Sequence, residues 1–437
     1  MYKLTLKVSL LLLFCSWQAQ AAQDLASIYG LALKNDAEVL IAEANYLAAV
    51  QAVPIARSGR KPQVFFNANG SARESDNSET GDNDNRTIGY SLSLTQSLYD
   101  NETAGNINAA EASTEAELAR LQAARQGLIL RTADNYFGVL AAQDNVEFAY
   151  AERTSIARQL EQAQKRFEVG LIAITDVHEA QARFDTAEAQ AILAENLLEN
   201  AFQSLAVITG DVTIRDLARV GDKLELVVPE PADSERWVTA SLEFNRDLLA
   251  ARRDLDAARF ERRKRSKRGY PTLDLVASYA DNDVEDDLLG DSQQDDLTLS
   301  LQFEMPLYTG GRISAEQSEA ESQFIAAKNN VLLQTRLASQ QSRTAYLDVV
   351  SGISQVKAFK QALESSNIAL EATQAGFEVG TRTSVDVLVS LRETYRAERD
   401  YASARYEYLT NTLRLRQAAG ILEEDDLFDI SRWLIQQ

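Results

Sequence analysis

The side chains that could carry out chemistry in this 437-residue chain are almost all carboxylates and hydroxyls. The chain contains 65 Asp and Glu residues but a single cysteine, Cys15, and a single histidine, His178. Zinc sites and Cys-His dyads need clusters of these two residue types, so both are excluded. Phosphate-binding loops and nucleophile elbows are also absent from the sequence. We therefore predict that the chain is not an enzyme and that it holds no metal and no cofactor.

The charge of the chain excludes another class of partner. Its formal net charge is −21, whereas binding to nucleic acid requires a surplus of Lys and Arg against the phosphates. One carboxylate stands in a recognisable pattern, because Thr383-x-x-Asp386 has the spacing of a helix capping box. In that interpretation the carboxylate lies in the first turn of a helix, where the helix dipole favours it.

The first 22 residues have the pattern of an export signal. Lys3 and Lys7 precede an apolar run from Val8 to Phe14, and Ala19-Gln20-Ala21 offers the small residues that signal peptidase needs. We predict cleavage after Ala21 or Ala22. No lipid anchor is expected, because Cys15 follows a bulky Phe. No uninterrupted run of about 18 apolar residues remains, which predicts no transmembrane helix.

The remaining chain repeats itself at an interval of about 210 residues. Phe167-Glu-Val-Gly170 recurs as Phe377-Glu-Val-Gly380, and each glycine is followed six residues later by Asp-Val. Pro62 likewise recurs as Pro271, and Gly210 as Gly420. The sequence therefore predicts a tandem duplication, with a signal peptide at residues 1–22, a first repeat at 23–233 and a second at 234–437.

Each repeat contains a segment that is unusually long for a globular helix. Residues 104–169 and 312–379 lack proline, and a helix of that length runs ~100 Å. Their apolar residues recur at the three-, four- and seven-residue spacing of a coiled coil. Shorter helices are predicted at 25–57, 175–208, 238–265 and 384–419. Gly170 and Gly380 are then hairpin tips, where a long helix reverses into a shorter one.

Four segments alternate apolar and polar residues as β-strands do, at about 63–72, 87–99, 272–280 and 297–308. Each is close to the ~9–11 residues of a transmembrane strand, although ordinary soluble hairpins fit the same alternation. The acidic connections at 74–86 and 281–296 favour an outer-membrane barrel, which places long polar loops outside the cell. Four strands cannot close a barrel, and lipid does not tolerate open sheet edges, so a cyclic homo-oligomer is required.

Basic residues gather at the opposite ends of these strands. Two interpretations fit them equally: placement at helix C-termini, where the dipole favours cations, or a rim that faces lipid headgroups. The residues concerned are Arg57, Arg60, Lys61, Arg265, Lys267 and Arg268.

Three motifs and the duplicated plan together resemble the TolC family of outer-membrane channels, across essentially the whole mature chain. They are Arg166-Phe-Glu-Val-Gly-Leu-Ile-Ala-Ile-Thr-Asp-Val177, Phe377-Glu-Val-Gly-Thr-Arg-Thr-Ser-Val-Asp-Val-Leu388 and Pro306-Leu-Tyr-Thr-Gly-Gly311. The resemblance implies an α+β membrane protein, a homotrimer whose four strands per protomer make a twelve-stranded transmembrane β-barrel. A long coiled-coil α-barrel would continue it, with a small mixed α/β equatorial region from Gly210–Trp237 and the tail.

The resemblance also implies a function. Such a channel lies in the outer membrane, contacts its lipid and extends into the periplasm. It serves as the exit duct of tripartite drug-efflux pumps or type I protein secretion. Its expected partners are a periplasmic adaptor of the membrane-fusion type and an inner-membrane transporter of the RND, ABC or MFS type, with no nucleic acid. The alternative is a periplasmic coiled-coil adaptor or scaffold without a barrel, which would have no use for amphipathic strands.

Matching of the motifs assigns expected roles to individual residues. Asp386 would form a ring of carboxylates in the pore, while Arg382, Thr175 and Asp176 would form the bonds that hold the periplasmic gate shut. The tips that contact the adaptor would be Gly170, Leu171, Gly380 and Thr381.

The chain departs from the family pattern at two gate positions. Val389 replaces a second aspartate, which predicts a single acidic ring. Phe377 replaces a tyrosine, and the loss of its hydroxyl predicts a looser closed state.

Overall fold

The computed structural model describes residues 22–77, 81–221, 224–286 and 290–435. The predicted export signal lies outside the described residues, apart from Ala22. The first repeat contains α1 (Leu25–Asn35), α2 (Ala37–Ser58), β1 (Gln63–Asn77), β2 (Gly81–Tyr99), α3 (Asn101–Glu168), α4 (Ile174–Thr209) and β3 (Arg219–Val220). The second contains α5 (Ser234–Phe244), α6 (Arg246–Ser266), β4 (Thr272–Asp286), β5 (Ser292–Glu304), α7 (Arg312–Glu378), α8 (Ser384–Ala418), α9 (Glu424–Ser431) and β6 (Leu434–Ile435).

Two long helices span the molecule. The helix α3 has 68 residues and α7 has 67, so each runs about 100 Å. The N-terminal half of α3 lies beside α2 and α6, and its C-terminal half lies beside α4 and α8. The shorter helices meet end to end, where the Asn245 side chain donates to the carbonyl oxygen of Ala418 at 3.3 Å. The helices thus lie side by side and form a helical wall, and the shorter helices meet near its middle.

The predicted helices at 25–57 and 238–265 are each broken in two. The breaks fall at Asp36 and Asn245, which occupy corresponding positions in the two repeats. Asp36 accepts the backbone N–H of Val39 at 2.9 Å, and Asn245 accepts that of Leu248 at 3.0 Å. Each side chain therefore caps the second helix, which stabilises a change of direction that apolar periodicity does not reveal.

The four long strands form one antiparallel sheet in the order β1-β2-β4-β5, so pairing of β2 with β4 joins the two repeats. The register aligns Phe66, Leu92, Tyr279 and Leu297 in one row across the sheet. This apolar face is uncovered in the protomer: Phe66 is 67% exposed and Leu297 is 81% exposed. Within the described residues, the outer edges of β1 and β5 are unpaired.

The strands are longer than the sequence predicted. The first hairpin is paired out to Asn77 and Gly81, and the second out to Val284 and Ser292. Most of the acidic residues assigned to connections at 74–86 and 281–296 therefore belong to strands, while β5 ends at Glu304 rather than 308. The ladder can continue because its hydrogen bonds come from the backbone and do not require apolar side chains. Residues 78–80 and 287–289 of these connections lie outside the described residues.

One helix corrects the expectation that no segment could span a membrane as a helix. By length and composition alone, Ala37–Ser58 is long and apolar enough. Its apolar residues do not form an uninterrupted run, because Glu38 and Glu43 lie among them. This helix lies against α3, where the Thr114 hydroxyl donates to the carbonyl oxygen of Ala49 at 2.9 Å. We therefore assign it to the helical wall.

The main hydrophobic core lies around the middle of the long helices. Tyr136 of α3 is fully buried there, and its hydroxyl donates to the carbonyl oxygen of Ala218 at 2.6 Å. The short strands β3 and β6 pair with each other beside it. The segment after Gly210 and the C-terminal tail therefore form the predicted mixed equatorial region.

Two glycines with left-handed backbone offer a matched test of this packing. Gly420 has φ of +77°, and a Cβ there would lie 2.2 Å from the carbonyl oxygen of Phe244. Gly380 has φ of +80° but open space around the corresponding position. We expect Gly420→Ala to lower the melting temperature far more than Gly380→Ala, which carries only the left-handed penalty of about 1–2 kcal/mol. Thermal unfolding followed by circular dichroism measures both, and equal decreases would contradict the packing.

Candidate functional site

The two long hairpins end in the same kind of turn. Gly170 and Gly380 adopt φ of +74° and +80°, the left-handed conformation with which glycine stops a helix. In both copies the next residue donates its N–H back to the last helical turn at 2.8 Å. Leu171 is 73% exposed and Val379 is 75% exposed. Each tip therefore presents an apolar side chain that nothing in the described protomer covers.

Asp386 forms the capping box that its spacing predicted. Its Oδ2 accepts the backbone N–H of Thr383 at 2.9 Å, and the Thr383 hydroxyl accepts the backbone N–H of Asp386 at 3.2 Å. These bonds, together with the charge of nearby Arg382, hold the pKa of Asp386 below its usual range. The carboxylate is therefore fixed in position and ionised at neutral pH.

Three further predicted gate residues have unused hydrogen-bonding groups. Among the described residues of the protomer, no hydrogen bond or ion pair is made by the Arg382 guanidinium, the Thr175 hydroxyl or the Asp176 carboxylate. The stem of Arg382 packs across Gly376, where an added Cβ would lie 2.8 Å from Cγ. The helix start that carries Thr175 lacks a side-chain cap, since Ala173 stands at the position of Thr383. These groups are free to bond outside their own protomer.

The two hairpins of the protomer touch through a small apolar cluster near the tips. Leu388 and Leu391 of α8 are buried there against Ile156 of α3 and Ala180 of α4. Val389 is 39% exposed and lies outside the cluster. One face of α8 is thus held against the first hairpin, while other positions along it remain accessible.

Phe377 meets a residue that sequence reasoning missed. The Arg166 guanidinium carbon, in the last turn of α3, lies 4.1 Å from the centroid of the Phe377 ring. Both side chains are half-buried. Arg166 stands within the first tip motif, so it could have been noticed, but its aromatic partner is about 210 residues away. Phe377, which lacks the hydroxyl of the tyrosine it replaces, is therefore in contact with a cation.

A second missed residue is Glu152 of α3, which is 5% exposed. Burial raises the pKa of its carboxyl group, against the opposing charges of Arg399 and Arg392 on α8. It lines a cavity of about 90 Å³ together with Val389. In the sequence, Glu152 could have been noticed as an acidic residue on the apolar seam of a coiled coil.

The basic residues near the sheet divide into two groups. Arg57 and Arg265 lie in the last turns of α2 and α6, as the helix-terminus interpretation requires. Three of the six bond to acidic residues: Arg57 to Glu111 at 2.7 Å, Arg265 to Glu261 at 2.8 Å and Arg268 to Glu316 at 2.6 Å. Within the described residues, Arg60, Lys61 and Lys267 form no ion pair. This second group keeps free charges for the proposed headgroup-facing rim.

The fold defines a class of protein. A four-stranded sheet with an uncovered apolar face is continued by helices of about 100 Å, whose far ends carry the free polar groups. The described residues contain no group of three or more His, Cys, Asp or Glu that could hold a metal ion. Such an arrangement is that of an outer-membrane channel subunit, with the strands in lipid and the helices in the periplasm.

Comparison with known proteins identifies the family. Residues 28–211 and 237–421 each match the family described as outer membrane efflux protein, so the duplication corresponds to two copies of the family unit. The chain belongs to the outer membrane efflux protein family. It is 37% identical to outer membrane protein TolC of Vibrio cholerae, over 94% of each chain. It is also 28% identical to the alkaline protease secretion protein AprF of Pseudomonas aeruginosa, over 91% of this chain and 85% of that protein.

Solved structures share the fold. The CmeC outer membrane channel of Campylobacter jejuni aligns with a TM-score of 0.79 at 17% identity, covering 96% of this chain and 94% of that one. The chain is therefore an outer-membrane exit channel that extends into the periplasm, and not an enzyme. A periplasmic scaffold without a barrel is excluded by this membership.

Proposed function

We propose that the protein assembles as a homotrimer and acts as the exit duct of tripartite machines, serving drug efflux, type I protein secretion or both. The observation that carries the cyclic assembly is the sheet with two unpaired edges. Lipid offers no partner for their backbone N–H and C=O groups, so β5 of one protomer pairs with β1 of the next. The number of three protomers rests on the resemblance to the TolC family: it gives twelve strands, enough for a closed barrel, and the apolar row then faces lipid.

The periplasmic gate lies at the ring of hairpin tips. Arg382 of one protomer bonds to Thr175 and Asp176 of its neighbour, because these groups are free within the protomer and carry complementary charge. Three Asp386 carboxylates face one another in the pore and attract cations. Val389 leaves this ring single. Docking of an adaptor and an inner-membrane transporter breaks the Arg382 bonds and opens the entrance.

The adaptor binds at the tips. Gly170, Leu171, Gly380 and Thr381 form two similar reversals with exposed apolar neighbours, which offer repeated sites for helical hairpins of a periplasmic protein. The similarity to AprF supports a role in protein secretion, and membership of the outer membrane efflux protein family supports a role in efflux. At the other end of the channel, Arg60, Lys61 and Lys267 face lipid headgroups, to which exposed basic residues are attracted.

Assembly is tested by electrophoresis of the purified outer-membrane protein with and without heating. We expect a slowly migrating trimer in mild detergent that converts to monomer on boiling. A variant that carries two cysteines, one at Asn67 of β1 and one at Ser300 of β5, is then screened for disulfides between protomers. A monomer that inserts into membranes unaided would contradict the proposal.

A further inference from the structure

A cation–aromatic contact joins the two hairpins of the protomer at their far ends. The Arg166 guanidinium carbon lies 4.1 Å from the centroid of the Phe377 ring. Arg166 belongs to the last turn of α3, and Phe377 belongs to the last turn of α7. Attraction between a guanidinium and an aromatic face extends to about 6 Å, so this contact is well within range.

Arg166 has no competing partner in the described part of the chain. It makes no ion pair there. The adjacent base, Lys165, bonds to Glu161 of its own helix instead. A guanidinium is planar and weakly hydrated, which suits it to stacking on an aromatic ring. The ring of Phe377 is therefore the specific contact of this cation.

The contact holds the end of α7 from the side of the first hairpin. One residue earlier in α7, Gly376 has no side chain, and the stem of Arg382 occupies that space. The last turn of α7 is thus held by Arg166 on Phe377 and by Arg382 on Gly376. Movement of the second hairpin away from the first must break the Arg166 contact.

We propose that Arg166 is a gate-positioning residue, whose stacking on Phe377 clasps the two hairpins of each protomer in the closed channel. This inference rests on the proposed gate and assigns it a further element. The missing hydroxyl at position 377 predicted a looser closed state, whereas the clasp supplies a different attraction at the same place. Aromatic character, rather than a hydroxyl, is then what this position requires.

The expected effect follows from the strength of cation–π pairs that keep part of their contact with water. Loss of one clasp changes the ratio of closed to open protomer by about two- to fivefold, which corresponds to about 0.4–1 kcal/mol. If three protomers open together, the effect on the channel is roughly tenfold to a hundredfold. Removal of the Arg166 charge and removal of the Phe377 ring should each produce this effect, and the two changes combined should have no larger effect than either alone.

Single-channel recording in planar bilayers tests the clasp. We expect Arg166→Gln and Phe377→Leu each to raise the open probability of the isolated channel, and the double variant to match either one. Phe377→Tyr preserves the ring and should behave as the original protein does, whereas Arg166→Lys keeps the charge but loses the planar guanidinium and should give an intermediate open probability. Lys165→Gln is the matched control, because that cation bonds within its own helix. Trimer migration in unheated gels confirms that each variant assembles.

Two results would overturn the inference. If Arg166→Gln has the same open probability as Lys165→Gln while Arg382→Ser still opens the channel, the clasp is contradicted and the proposed gate is not. A decrease of open probability in Phe377→Tyr would show that the missing hydroxyl, not the ring, governs closure. If Arg382→Ser also changes nothing, the proposed gate itself fails.

Discussion

Substitution Arg382→Ser is expected to raise the conductance of the isolated channel by a hundredfold or more. Its guanidinium has no partner among the described residues of the protomer, so in the proposed trimer it bonds to Thr175 and Asp176 of the neighbour. A hydrogen bond to a charged group contributes about 1.5–3 kcal/mol. Simultaneous removal of this bond from all three protomers changes the closed-to-open ratio by several powers of ten, and the recorded increase is limited by the width of the pore.

Planar-bilayer recording with purified trimers measures this change. The matched control is Arg396→Ser, because Arg396 lies on the same helix and pairs within it, at 3.8 Å from both Glu393 and Asp400. An equal increase in the two variants would mean that any loss of charge on α8 loosens the channel. Arg382 would then have no specific role in closure.

Substitution Asp386→Asn is expected to weaken block of the channel by polyvalent cations added on the periplasmic side. Three carboxylates at a constriction bind such cations through summed Coulomb attraction, and the neutral amide removes all three charges. We expect the blocking affinity to fall by at least tenfold. The capping box survives in part, because Asn can still accept the N–H of Thr383. Val389→Asp adds a second ring and should strengthen block.

The pH dependence of block has a definite sign. The bonds from Thr383 and the charge of Arg382 lower the pKa of Asp386. A carboxyl group with a lowered pKa is ionised above that pKa and loses its charge as pH falls through it. This shift opposes the mutual repulsion of three carboxylates, which acts to raise the pKa. Block should therefore be unchanged between pH 8 and pH 6 and weaken only in stronger acid. Asp400→Asn, about four turns further along α8, controls for general loss of negative charge.

Much of the fold was predictable because its signals are local and repeated. The long helices follow from segments without proline, and the tips follow from Gly170 and Gly380, whose left-handed backbone only glycine adopts easily. The capping box at Thr383 and Asp386 depends on residues three apart. Duplication doubled each signal, so a weak pattern in one repeat was supported by the other.

The features that the sequence did not reveal depend on competition between local and distant forces. Asp36 and Asn245 look like tolerated polar residues within apolar helices, but their side chains cap a second helix. The acidic ends of the strands lack apolar alternation, although backbone pairing carries the ladder through them. Arg166 and Glu152 acquire their surroundings only when two hairpins pack together. Contacts of that kind depend on helix rotation, which periodicity gives only approximately.

Crosslinking in living cells tests most directly whether the hairpin tips dock a partner that opens the channel. The described residues contain no cysteine, so a single one placed at Leu171 or Thr381 is a unique chemical handle beside each tip. A cysteine at Ile192, which is 60% exposed but lies further along α4, is the control. We expect tip variants to capture a periplasmic adaptor, and more of it while transport is active. Recovery of only soluble periplasmic enzymes, or equal capture by the control, would contradict the account.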